Sequence, residues 1–474
     1  MKPDPKEKFV GIQVSPISFV DEGVDQVLDT LKDRVGVNVL MLGTLSWLGL
    51  KTGRSISHKI DGWPDHGVHE PYSMKGGAYF KPDPRYYTKT MIKDFRAQDP
   101  EMGDTDILEL VLPEAKKRGM KTYVELMEPF FKYAGHGSAS AVEIPNLTHC
   151  LEIDCYGRTR DEPSTSNPDY RNWISSMIED QVRNYDIDGF MWCNERNSPL
   201  DQMMQGQAPG DFSQASRREA IERGIDVEAC RRAVIKMHEF IQAAHAGEEF
   251  DDGAFIEFLR VLMGNPEVLI WERFWLERNK DLDRELYGMV KWCKPTLDFG
   301  LNVWNRNHFN IFRRAQWPWV EQTMYADWVK PITYQHQSGE IWHKEFGFFQ
   351  KSILRDFDPI EGAAVLSKML GLKAAPLNKV IQAGMDPDDY VGGQCADAVR
   401  GVHGKAKVYM GIGIDAPRVR EDQAICTPEI AYRSVMATYQ AGGDGVVLSP
   451  NYSMMKLSNL DGVSKALTEL GLKE

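Results

Sequence analysis

The stretch DILELVLPEAKKRGMKTYVELME (Asp106–Glu128) decides the fold. Ile107, Leu108, Leu110, Val111, Leu112 and Ala115 make one apolar stripe, which predicts a helix over Asp104–Arg118. Lys116, Lys117 and Arg118 fall in its last turn, where cations meet the negative end of the helix dipole, and Gly119 suits the residue just past the stop. The period then changes. MKTYVELME (Met120–Glu128) is a short apolar run with β-branched and aromatic residues, the pattern of a buried strand. Helices alternating with such strands build parallel sheets.

Seven further runs of this kind lie on either side: Phe9–Ser15, Val37–Gly43, Ile187–Cys193, Thr296–Trp304, Val329–Gln335, Ala406–Ile414 and Asp444–Pro450. Helical patterns separate them near Glu22–Val35 and Tyr170–Tyr185, and another near Leu460–Leu470 closes the chain. Eight runs with intervening helices, and no GxGxxG after the first, predict an α/β fold of the (β/α)8 TIM-barrel type rather than an open doubly wound sheet. No Pro-, Ser- or charge-rich linker divides the chain, so residues 1–474 read as one catalytic barrel. Two excursions interrupt it. A Gly-, Pro-, His- and Tyr-rich segment of about 44–103 follows the second strand, and an insertion of about 196–292, helical over most of its length, follows the fourth.

Composition narrows the function classes. With 42% hydrophobic and 26% charged residues the chain is too apolar to be disordered, and no apolar run approaches the ~20 residues of a spanning helix, so no membrane partner is expected. Lys and Arg number 56 against 69 Asp and Glu, and the net charge of −13 argues against nucleic acid, which needs a basic face. Seven scattered cysteines without a CxxC pair indicate neither a disulfide framework nor a thiolate metal site, and point to a reducing, cytoplasmic compartment. The N-terminus MKPDPKEKF carries no apolar signal core; a leader removed earlier would leave the same sequence.

In a barrel the chemistry sits where the strands end, so polar residues there are the candidates. These are Glu125 and Glu128 on strand three, Asn194, Glu195 and Arg196 after strand four, and Asn302 with Trp304 at strand five. Gln335 and His336 follow strand six, Asp415 strand seven and Asn451 strand eight. His66 and His69 on the first excursion would wall the pocket. A strand-end carboxylate often serves instead as a helix cap or as the partner of a nearby arginine, which stands as the plain alternative for Glu128 and Asp415. Trp192 and Trp304 belong to a set of aromatics near strand ends whose flat faces suit the C–H surface of a sugar.

The run Asp106–Glu128 followed by IDGFMW (Ile187–Trp192) resembles the third and fourth strands of barrel glycoside hydrolases, especially amylase-like and uncharacterised hydrolase-like families. In the amylase pattern an Arg and an Asp nucleophile follow the Gly-Phe pair, whereas Met191 and Cys193 stand there in this chain. Asn194-Glu195 is similar instead to the Asn-Glu pair that ends strand four in the large retaining barrel superfamily. That resemblance implies Glu195 as acid/base and a second carboxylate on strand seven as nucleophile, where this chain offers Asp415, one methylene shorter than the superfamily's Glu.

The expectation is therefore a glycoside hydrolase needing no cofactor, with Glu195 as general acid/base, Asp415 or Glu128 as its partner, and Asn194, Arg196, Trp192, Glu125, Asn302, Trp304, Gln335, His336, Asn451, His66 and His69 holding a carbohydrate substrate. Two other readings stay open. One is a metal-assisted sugar isomerase, epimerase or lyase with Glu125, Glu128, Asp298 and His336 as ligands; the other is a carbohydrate-binding barrel without catalysis. The helical insertion could also join subunits, so a homo-oligomer remains open.

Overall fold

A computed structural model describes residues 8–46, 77–97, 103–128, 144–373, 376–416 and 420–473. Eight parallel strands close into a barrel: β1 (Val10–Val14), β2 (Val39–Gly43), β3 (Lys121–Met127), β4 (Gly189–Cys193), β5 (Asp298–Val303), β6 (Trp328–Thr333), β7 (Lys407–Gly413) and β8 (Gly445–Ser449). Each neighbours the next in chain order, and β8 returns to pair with β1, Val10 opposite Val446. Seven lie inside the runs read from the sequence, β6 begins one residue ahead of its run at Trp328, and the architecture is the expected (β/α)8 barrel.

The helix of the opening stretch spans Ile107–Lys117. Its N-cap is Asp106, whose carboxylate accepts from the backbone N–H of Leu108 and Glu109 and also from Lys81 N–H and the Tyr185 hydroxyl. One aspartate therefore fixes both the start of a helix and its seat against the chain that precedes it. In the segment after β2, Leu45–Ser46 pairs antiparallel with Gly77–Ala78, while His66 and His69 lie outside the described residues. After β4 come five helices, ending in the long Glu267–Cys293, which packs against the helix Pro168–Asn184.

One segment departs from expectation. The sequence reads as a loop over Pro129–Thr165, yet Leu151–Ile153 and Thr159–Pro163 form a small hairpin within it. Its second strand, TRDEP, is too polar to show an apolar alternation, and the turn is set by Asp154, which accepts from the N–H of Tyr156 and Arg158.

Strand alternation divides the barrel residues between two cores. Those pointing outward join the surrounding helices, and those pointing inward fill the lumen. At the N-terminal end Phe9, Tyr123, Trp328 and Tyr409 plug the lumen, with Phe9 stacked on Tyr409 at 3.6 Å between ring centroids. Gly300 makes room for this plug: a Cβ there would stand 2.0 Å from the Trp328 ring. Towards the C-terminal end the inward residues turn polar, and Gln13, Glu125 and Lys330 are all buried there.

Candidate active site

Gln13, on β1, joins two charges across the lumen. Its amide nitrogen donates to Glu125 Oε1 at 2.7 Å, and its amide oxygen accepts from Lys330 Nζ at 2.8 Å. A glutamine can do both at once, so a carboxylate from β3 and an ammonium from β6 share one neutral bridge rather than standing as uncompensated buried ions. Cys193 Sγ lies 3.9 Å from Glu125 Oε1.

Above this layer is Glu195, two residues past the inward Cys193 and partly exposed. Its Oε1 accepts from Asn302 Nδ2 at 3.0 Å, a contact from β5 that orients the carboxylate. Tyr334, just past β6, completes the group. Burial drives its phenol far above the usual tyrosine range; a hydrogen bond with Ser449 opposes this, and the charges of Glu195 and Glu125 raise it further. The hydroxyl is thus a proton donor at any working pH, lying within the field of both carboxylates.

Around this mouth several buried polar atoms have no hydrogen-bond partner among the described residues: Asn302 Oδ1, Asn305 Oδ1 and Gln335 Oε1. His336 sits beside them, its ring near the Ala416 backbone. Burial pushes the His336 imidazole down to about 4, so it is neutral at pH 7 and offers one donor and one acceptor.

Other expected site residues are held in contacts that serve the fold. Glu128 follows the inward Met127 and points the other way. It is fully buried, receives a bidentate pair from Arg196 with Nε and Nη2 both at 2.6 Å, and accepts from the Tyr170 hydroxyl at 2.6 Å. Arg196 also donates to the Pro163 carbonyl, leaving it fully engaged. Trp192 faces outward, its indole N–H donating to Asp283 Oδ1 at 2.8 Å, and Asn194 reaches the same oxygen at 3.4 Å. Any contact of Asn194 with a substrate in the lumen would require it to release Asp283. Trp304 carries the guanidinium groups of Arg306 and Arg313 at 4.9 and 4.7 Å from its ring centre. Asn451 accepts from the N–H groups of Ser15 and Ser453, fastening β8 to β1.

Asp415 is turned by its own backbone. Its φ of +55° departs from strand geometry just where extension would have carried the side chain over the lumen, and its carboxylate accepts from Lys456 N–H and Asn459 Nδ2, both at 2.8 Å. It fastens the start of the helix Leu457–Glu469. Asp415→Ala is expected to lower unfolding free energy by about 1 kcal/mol, as lost caps do, with turnover retained; denaturant titration beside an activity assay checks both, and lost turnover in a folded variant would restore Asp415 to the chemistry.

Burial raises the Asp283 carboxyl to about 7 from an ordinary 3.8, against the opposing hydrogen bonds of Asn194 and Trp192. The folded state therefore binds the proton more tightly than the unfolded chain does. The stability this contributes is complete below the unfolded value near 3.8 and falls away as pH rises through about 7. Asp283→Asn keeps the acceptor for Trp192 and Asn194 without the ionisation. It is expected to be more stable than wild type at pH 8 and to flatten the pH dependence between 4 and 7, measured by urea denaturation at each pH.

The residues of the metal reading do not converge. Asp298 accepts from the Tyr123 hydroxyl at the plugged end of the lumen, and Glu128 is bound to Arg196. Among the described residues no group of three or more His, Cys, Asp or Glu is arranged to hold a metal ion. No described helix is long and apolar enough to cross a membrane.

Gln13 and Lys330 were not singled out from the sequence. Their signal was available as a long polar side chain at an inward position of a mostly apolar run, in VGIQV and WVKPIT.

No protein family and no curated protein matches the sequence. Solved structures do share the fold. The glycoside hydrolase domain of PgaB (BpsB) from Bordetella bronchiseptica superposes with a TM-score of 0.51 at 10% identity, covering 97% of this chain and 98% of that one. β-Galactosidases from Marinomonas ef1 and from the haloarchaeon Halorubrum lacusprofundi each give 0.51, at 12% and 11% identity. Each superposition covers 98% of this chain, which spans 59% and 58% of the two β-galactosidases. At this identity the likeness is one of fold.

Proposed function

We propose that the chain is a glycoside hydrolase acting at the C-terminal mouth of the barrel, with Glu195 as general acid/base and Glu125 as the second carboxylate. One observation carries the reading: Asn302, an inward residue of β5, holds Glu195 on a partly open rim, above a lumen that already contains the carboxylate of Glu125. Glycoside hydrolysis needs this pairing, one carboxyl group to protonate the departing oxygen and another to attack the anomeric carbon or activate water. The partner role passes to Glu125 because Glu128 and Asp415 are committed to Arg196 and to a helix start.

In the first step the Glu195 carboxyl gives its proton to the glycosidic oxygen as the bond to the anomeric carbon breaks. The Glu125 carboxylate, or a water that it deprotonates, supplies the new bond to that carbon. Gln13 holds Glu125 in place from the β1 side and links it to the Lys330 ammonium. Asn302 and Gln335, with their unpaired buried oxygens, are suited to a polyhydroxylated ligand, since each orphan atom gains a partner when a hydroxyl arrives.

The test is a panel of aryl glycosides and oligosaccharides with product anomers followed by NMR. Cleavage of one anomeric series is expected, and in Glu195→Gln it must be lost on the oligosaccharides, whose leaving oxygen needs a proton. Binding of a glycan without cleavage by wild-type protein would turn the reading to a carbohydrate-binding barrel, and aldose–ketose conversion without cleavage to an isomerase.

A further inference from the structure

A cavity of about 260 Å³ opens on the outer side of β5, between the chain that follows this strand and the helix Gly392–Val402. Val303 forms part of its wall, and Val303 belongs to the outer core, not to the lumen. Trp317 and Trp319 supply flat apolar faces. The second is seated on the helix at Gly401, where a Cβ would stand 2.5 Å from Trp319 Cδ1, so only glycine lets the ring approach.

The polar lining favours acceptors. Arg314 pairs with Asp397 at 2.7 Å and Arg400 pairs with the same carboxylate, so two guanidinium groups share one negative charge. His308 adds a donor. Its Nδ1 lies 2.9 Å from the Tyr390 hydroxyl, which itself accepts from Ser338 Oγ at 3.2 Å. The phenol proton therefore goes to Nδ1, and the neutral imidazole carries its own proton on Nε2. Burial, with the charge of Arg314 behind it, lowers this imidazole to about 3, so the neutral form holds throughout the physiological range. His308 is 2% exposed, and its Nε2 has no acceptor among the described residues.

We propose that this cavity binds one sugar ring bearing a carboxylate, a hexuronate-type ligand, with the ring face on the tryptophans, the carboxylate on Arg314 and Arg400, and a ligand oxygen accepting from His308 Nε2–H. The volume suits a single ring, being just under the ~300–1,000 Å³ usual for larger ligands. A neutral sugar would satisfy the aromatic faces and leave the excess positive charge without a partner. The site does not depend on the lumen chemistry.

The experiment is calorimetric titration of the full chain with D-glucuronate, with D-glucose and acetate as controls, repeated on Arg314→Gln, Arg400→Ala and Glu195→Gln. Arg400 is exposed at the surface, so its replacement leaves the fold intact. Saturable binding of glucuronate at one site is expected, about tenfold or more weaker in each arginine variant and unchanged in Glu195→Gln, with glucose and acetate at least about tenfold weaker than glucuronate. Absence of saturable binding overturns the proposal, as does an affinity unaltered by both arginine changes. Loss of binding in Glu195→Gln would place glucuronate in the lumen instead and equally overturn it, without touching the hydrolase reading.

Discussion

Glu195→Gln is expected to lower kcat by roughly 10²–10⁴-fold, the usual worth of a positioned acid/base, with the fold unchanged. The substitution keeps the side-chain length and an oxygen able to accept from Asn302 Nδ2, so the 3.0 Å contact that orients Glu195 survives while the transferable proton is lost. Substrates with a good leaving group should recover much of the rate, since an activated aryl oxygen needs little protonation, whereas a natural glycoside should not. Equal loss on both would point away from acid catalysis, and undiminished turnover on both would remove Glu195 from the chemistry. Steady-state kinetics on a matched pair of aryl and alkyl glycosides, with circular dichroism as the fold control, separates these outcomes.

Glu128→Ala is expected to lower unfolding free energy by about 3–5 kcal/mol, the usual result of stranding one member of a buried ion pair. Arg196 would remain inside the protein without its bidentate acceptor, and the Tyr170 hydroxyl would lose its acceptor too. The double variant Glu128→Leu with Arg196→Met should regain only part of the loss: it removes the stranded guanidinium, but Arg196 also lies 3.4 Å from the buried Glu152, which then keeps only Arg160 as a cationic partner. Urea denaturation of the three proteins checks this. A single variant within 1 kcal/mol of wild type, where about 1 kcal/mol is typical of exposed pairs, would show that water reaches the site in solution.

The barrel was legible because its signals are local: each strand is a short β-branched or aromatic run, and the helix of Ile107–Lys117 displays its stripe, cap and stop within a dozen or so residues. The site was legible only by height. Strand ends indicate which residues reach the rim, but which side each faces depends on a parity that a short all-apolar strand does not display. Trp192 and Asn194 thus project outward to Asp283, while Glu195 between Asn194 and Arg196 points in. Glu128 and Arg196 are 68 residues apart, and nothing in either neighbourhood announces the other. Asp415 was misdirected by a single left-handed backbone angle, and the lumen bridge of Gln13, Glu125 and Lys330 draws on three strands that only closure brings together.

That closure has a consequence for biosynthesis. The edge of β1 facing β8 finds its partner only when Gly445–Ser449 has left the ribosome, and the Ser15–Asn451 bond spans 436 residues. Until then the nascent chain holds two unpaired strand borders, each a template for another polypeptide. Asn451, so plain in the finished molecule, is the latch whose late arrival ends that exposure.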